Sequence, residues 1–149
     1  MPKVVYTAAR GLVQEAGSGL DIAGELRGTK KQVIATTSTL TLADSGAVLA
    51  PTAGAAQTFT LPAVATAAGF HVTFHAGSAQ AHVINGGGAK IQGAIFDNSA
   101  GVGTLARNAV TNRTSITLAN PAVGDYLSIV GDGTNYYVFG WCNDTPTFA

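Results

Sequence analysis

The chain is poor in the residues that most often carry chemistry. It has one cysteine, Cys142, in 149 residues. A single cysteine excludes an intramolecular disulfide and a thiolate metal cluster. Charge is scarce, at 11 % of residues, and the net charge is zero. With no basic excess there is little counterion release to drive binding of DNA or RNA, so nucleic acid is not an expected partner. No apolar run reaches the ~18 residues that a membrane helix needs, so no membrane partner is expected. Met1-Pro2-Lys3 opens the chain without an apolar signal core, which points to a protein made and assembled in a cytoplasm. Aromatic residues are few, at 7 %, although hydrophobic residues reach 46 %. Many of these are alanines. Burial stabilises by about 25 cal/mol per Å², so an alanine-rich core is thin and invites further burial against partner subunits.

What is present falls into two parts, an arm at 1–31 and a body at 32–149, together of the length of one ordinary domain. The arm carries Lys3, Arg10, Arg27, Lys30 and Lys31 against Glu15, Asp21 and Glu25, a net of +2 that leaves −2 for the body. Gly11, Gly17, Gly19, Gly24 and Gly28 interrupt any helix that Leu12-Val13-Gln14-Glu15-Ala16 begins. Its apolar residues, Val4, Val5, Tyr6, Leu12, Val13, Leu20, Ile22 and Leu26, follow no clean period. Such a stretch reads as an extended arm with a short turn. It has too few anchors for a core of its own and orders on another surface, so these eight residues are the expected partner contacts.

The body reads as β throughout. The run 32–42 is dense in β-branched residues, Asp44-Ser45-Gly46 is a turn, and Ala47-Val48-Leu49 is a short strand that Pro51 stops. Gln57 to Leu61 alternates, with Phe59 and Leu61 on the buried side, and Pro62 ends it. Phe70, Val72 and Phe74 share one face of the next strand, and His71, Thr73 and His75 the other. Strands follow at 81–85, 90–92 and 114–118, with Gly86-Gly87-Gly88 as a tight turn. Residues 125–130 and 135–141 pair as a hairpin around Gly131-Asp132-Gly133-Thr134, and 142–149 reads as a short tail. Ala63 to Ala68 has room for one helical turn between Pro62 and Gly69. The expected fold is all-β: a small antiparallel β-sandwich or barrel, a β-tulip-like form included, with an extended N-terminal arm.

Chemical motifs are sparse. His71 and His75 have a zinc-like spacing, but four residues on a strand span about 13 Å, too far to share one ion at about 2.0–2.1 Å. With His82 they read as a polar face turned to solvent or to a partner. A symmetry axis that gathers copies of one histidine leaves a minor route to metal binding or pH sensing. Gly101-Val102-Gly103-Thr104-Leu105-Ala106 matches the dinucleotide fingerprint only formally, because Asn108, Thr111 and Asn112 then read as loop rather than helix. Ser78 lies near His75 and His82, yet no nucleophile elbow surrounds it. Asp97, Asp125, Asp132 and Asp144 sit in turn contexts, where carboxylates bind their own backbone. Cys142 reads as a half-buried small side chain. Tyr137, Phe139 and Trp141 share one side of a strand, with Tyr136 and Val138 on the other. With few other large residues available, these rings are expected in the core. No catalytic residue, cofactor or metal site is expected.

Thr39-Leu40-Thr41-Leu42-Ala43-Asp44-Ser45-Gly46, Thr58-Phe59-Thr60-Leu61-Pro62, Gly69-Phe70-His71-Val72-Thr73-Phe74, His82-Val83-Ile84 and Ile91-Gln92-Gly93 form a pattern over residues 39–95. It resembles the capsid decoration (cement, head-stabilising) proteins of tailed bacteriophages. The resemblance implies a structural virion protein, not an enzyme. It implies a homotrimer on the capsid exterior that contacts the major capsid protein and bridges capsomers. The competing expectation is a receptor- or glycan-binding module of a tail fibre or spike, with Tyr136, Tyr137 or Trp141 as stacking groups.

Overall fold

The computed structural model describes residues 33–52, 54–99 and 105–149, together with the backbone of strands at 4–7 and 11–14. The chain divides into two compact units, Met1–Lys30 and Lys31–Ala149.

In the first unit β1 (Val4–Thr7) and β2 (Gly11–Gln14) pair antiparallel, with Val5 opposite Val13 and Tyr6 opposite Leu12. Within the expected arm, residues 4–7 and 11–14 thus form a strand pair; the rest of it lies outside the described residues. Three of the expected contact residues, Leu20, Ile22 and Leu26, lie outside the described residues.

The second unit is all-β. Its strands are β3 (Val33–Ile34), β4 (Ser38–Thr39), β5 (Val48–Leu49), β6 (Gln57–Thr60), β7 (His71–His75), β8 (His82–Asn85), β9 (Lys90–Asp97), β10 (Ala106–Arg113), β11 (Ser115–Leu118), β12 (Tyr126–Gly131), β13 (Asn135–Cys142) and β14 (Thr147–Phe148). Among the described residues they form a seven-stranded sheet, in the order β10-β9-β13-β12-β7-β5-β3, and a five-stranded sheet, in the order β14-β11-β8-β6-β4. Phe59 of the small sheet meets Phe74 of the large one edge to face at 6.3 Å, and one hydrophobic cluster draws on both sheets. The architecture is a β-sandwich.

The pairing is mixed rather than wholly antiparallel. From β3 to β8 each strand steps to the opposite sheet, so β3, β5 and β7 run parallel in one and β4, β6 and β8 run parallel in the other. The short loops with Gly and Pro between these strands are crossings between layers, not hairpins. The β-branched run 32–42 is split by one such crossing. Thr37 carries the chain over, its N–H and hydroxyl both bonded to Gln57 Oε1. Asp44 then closes a turn by accepting from the N–H and hydroxyl of Thr41, at 2.7 and 2.9 Å. The second half of the unit is largely antiparallel, and β12 and β13 form the expected hairpin. One parallel pair, β13 with β9, joins this half to the long β9–β10 hairpin.

Two segments read as irregular are strands. Residues 106–113, with Asn108, Thr111 and Asn112, form the edge strand β10. The polar Asn108 lies on its inner side, donating to the Ile95 carbonyl and to Asp97. The tail ends in β14, where Phe148 pairs with Ile116. The predicted strand ends at Pro62, the turn at Gly87 and Gly88, and the short helical turn at Val64–Thr66 are present as expected.

Core bulk comes from Phe59, Phe70, Phe74 and Tyr136 among Leu, Ile and Val side chains. Tyr136 packs edge to face on Phe70 at 6.3 Å, and its hydroxyl donates to the Pro62 carbonyl at 2.8 Å. Gly93 permits the β9–β13 contact. Its φ is +134°, and a Cβ there would lie inside the van der Waals shell of the Val138 carbonyl.

Candidate functional site

The interior holds the groups that a catalytic reading would need, and their geometry opposes that use. His82 is buried on β8 with its ring against Phe74 at 5.9 Å, not on an exposed polar face. Its Nδ1 accepts the Gln57 N–H at 3.2 Å, so the ring proton sits on Nε2 and is donated to Ser78 Oγ, also at 3.2 Å. A general base must accept from its serine. Here the histidine donates to it, so Ser78 is not activated. Cys142 is fully buried, and its thiol donates to the Asp144 carbonyl. Burial foremost, then the nearby Asp125, Asp97 and Asp144 carboxylates, pushes its pKa up to about 12, which leaves no reactive thiolate.

Among the described residues the carboxylates are structural. Buried Asp97 accepts from the N–H and hydroxyl of Ser99 and from Asn108, and these bonds, the Ser99 hydroxyl first, hold its pKa below the usual range. Asp125 accepts from the N–H groups of Ala122 and Asn143, both at 2.9 Å, and ties the β12 start to the β13 end. Asp132 caps the β12–β13 turn through the N–H groups of Thr134 and Asn135. Among the described residues no three His, Cys, Asp or Glu groups lie together as metal ligands would. His71 and His75 face outward from β7, on the other side of the sheet from the core that encloses His82.

Burial depresses the His82 pKa, with a hydrogen bond to the Ser78 backbone opposing more weakly. The unfolded chain therefore binds a proton at a higher pH than the folded one. This contribution to stability is complete above about pH 6.5 and is lost as pH falls from there through the lower folded value. Urea unfolding at pH 7.5 and pH 5 is expected to show a lower midpoint at pH 5. The His82→Gln variant is expected to show a much smaller difference, and an unchanged one would remove His82 as the cause.

The outer face of the large sheet is the notable surface. The expectation that Tyr137, Phe139 and Trp141 fill the core is overturned: they are 45 %, 56 % and 42 % exposed. The other side of β13, with Tyr136, Val138, Gly140 and Cys142, is the buried one. Tyr136 is therefore excluded as a stacking group.

Register aligns these rings with their neighbours. Across the sheet, Arg107, Phe96, Trp141, Tyr126 and His75 stand side by side on β10, β9, β13, β12 and β7. His75 stacks on Tyr126 at 6.2 Å with 26° between planes, and Phe96 meets Phe139 edge to face at 5.9 Å. Gln92, Tyr137, Val130 and His71 form a second row. Tyr126 and Val130 are also exposed. Contiguous exposed apolar patches are where protein surfaces most often meet partners. The alternation along β13 was the available signal, but it is apolar on both sides and does not say which side is inward.

Compared with known proteins, the chain matches no family model, no curated protein and no solved structure.

Proposed function

We propose that the protein is a structural component of a tailed-phage virion that binds the capsid exterior as a homotrimer and bridges capsomers, without catalysis. The observation that carries this reading is the division into two unequal units. Lys31–Ala149 encloses a complete core. Among the described residues, β1 and β2 pair only with each other. A lone two-stranded hairpin is marginal in water, so this segment gains by adding to a larger surface, and strand addition to a coat-protein sheet edge is the natural mode. Val4, Val5, Tyr6, Leu12 and Val13 are its contact residues. Three such segments on one trimer multiply a weak contact through effective concentration. The strand-and-turn pattern of residues 39–95 supplies the capsid context.

Co-sedimentation with empty heads tests the reading. The full chain is expected to pellet with heads. A chain lacking residues 1–30 is expected to remain in the supernatant with its thermal unfolding transition intact. Retained binding by the truncated chain removes the anchor role, and no binding by the full chain removes the capsid reading.

A further inference from the structure

The exposed aromatic face is not used by this anchoring scheme, and the only lysine, arginine or carboxylate side chains at its outward strand positions are cationic. Beyond residue 31 the chain has only three cationic side chains besides histidine, Lys90, Arg107 and Arg113, and all three lie on the β9–β10 hairpin. Lys90 and Arg107 are exposed on the same outer side as the rings. No outward strand position of β7, β9, β10, β12 or β13 carries a carboxylate. Asp132, at the β12–β13 turn, places a carboxylate beside the Tyr137 side chain, where two backbone N–H groups also engage it.

We propose that this face binds an acidic polysaccharide, a chain of uronic-acid residues, with the sugar rings on Trp141, Tyr126 and Tyr137 and the carboxylates on Arg107 and Lys90. Pyranose C–H groups carry partial positive charge and are attracted to the negative face of an aromatic ring. Neighbouring strands are about 4.8 Å apart, so the row from Arg107 to His75 is roughly 19 Å of ring-lined surface with a cation at its end. Arg107 presents a planar fork that matches a carboxylate in two parallel bonds. Gln92, Ser128 and Asn135, outward on the same strands, supply groups for sugar hydroxyls. A second copy of the same face is a poor occupant, because its outward strand positions bring two more cations and no carboxylate.

Trp141 is the sole tryptophan, so its emission reports on this face alone. Titrating the full chain with oligogalacturonate is expected to change that emission saturably, with affinity falling as salt is raised. Malto-oligosaccharide, uncharged, is expected to bind at least tenfold more weakly. Arg107→Gln is expected to weaken oligogalacturonate binding about tenfold, and Tyr137→Ala to weaken both sugars. These positions are exposed, so circular dichroism of each variant should match the parent. No emission change with oligogalacturonate overturns the proposal. So does equal affinity for malto-oligosaccharide, or tighter binding of oligo-dT. An emission that shifts with protein concentration, with self-association abolished by Phe139→Glu, assigns the face to a second copy and likewise overturns it. None of these outcomes depends on capsid binding.

Discussion

Gly93→Ala is expected to destabilise the sandwich by roughly 3 kcal/mol or more, read as a lowered urea midpoint with an unchanged slope. Two effects add. At φ +134° an L side chain is strained wherever it is placed, and the new methyl would overlap the Val138 carbonyl on the neighbouring strand. That carbonyl belongs to the central β13, so the clash is relieved only by separating β9 from β13. The β9–β10 hairpin joins the rest of the sheet through that parallel pairing. The loss should therefore extend to Lys90, Arg107 and Phe96 on the aromatic face. Amide exchange that accelerates across β9 and β10 before β7 and β12 is the expected signature. A variant as stable as the parent would show that β9 accommodates a side chain there.

Phe74→Ala is expected to lower stability by about 3–5 kcal/mol. Phe74 is fully buried on β7 and touches the small sheet twice, through Phe59 at 6.3 Å and the His82 ring at 5.9 Å. Its removal leaves a cavity between the layers and exposes the most secluded side of His82. Easier hydration of that ring raises its folded pKa towards the ordinary value. The variant should thus be less stable at pH 7.5 and should also lose less on going to pH 5 than the parent does. The same urea series measures both effects, and a loss below 1 kcal/mol would mean that the layers close over the gap.

The two predictions concern contacts between strands, and that is where sequence reading was weakest. Strand positions and their inward sides were legible wherever alternation was clean. Phe59 and Leu61 are inward, as are Val72 and Phe74, because period-two patterning is a property of the single strand. Turns were legible at Gly86 to Gly88 and at Asp132, where local backbone chemistry decides. Strand partners were not. A loop that leads to a hairpin and one that crosses to the opposite layer use the same Gly and Pro residues, so the parallel winding of β3 to β8 left no local mark. β10 was hidden because Asn108 is inward yet satisfied by Asp97 and the Ile95 carbonyl, an arrangement visible only across two strands. His82 was misplaced for the same reason, since its partner is the Gln57 N–H, 25 residues away.

The aromatic face marks the division most clearly. Local patterning along 135–142 determined that a strand forms there and which side chains share a side. It did not determine which side is buried, because both are apolar. Tertiary packing decided that. Gly140 lies so close to Leu127 and the Tyr126 carbonyl that even a Cβ does not fit between them. On that same side Tyr136, Val138 and Cys142 join the hydrophobic cluster shared by both sheets, and Tyr137, Phe139 and Trp141 are left outside. All-β character, turns and strand faces were written in the sequence because they depend on neighbours one to four residues apart. Sheet order, the buried histidine and the exposed rings depend on volumes and hydrogen bonds supplied by distant strands, which only the assembled sandwich brings together.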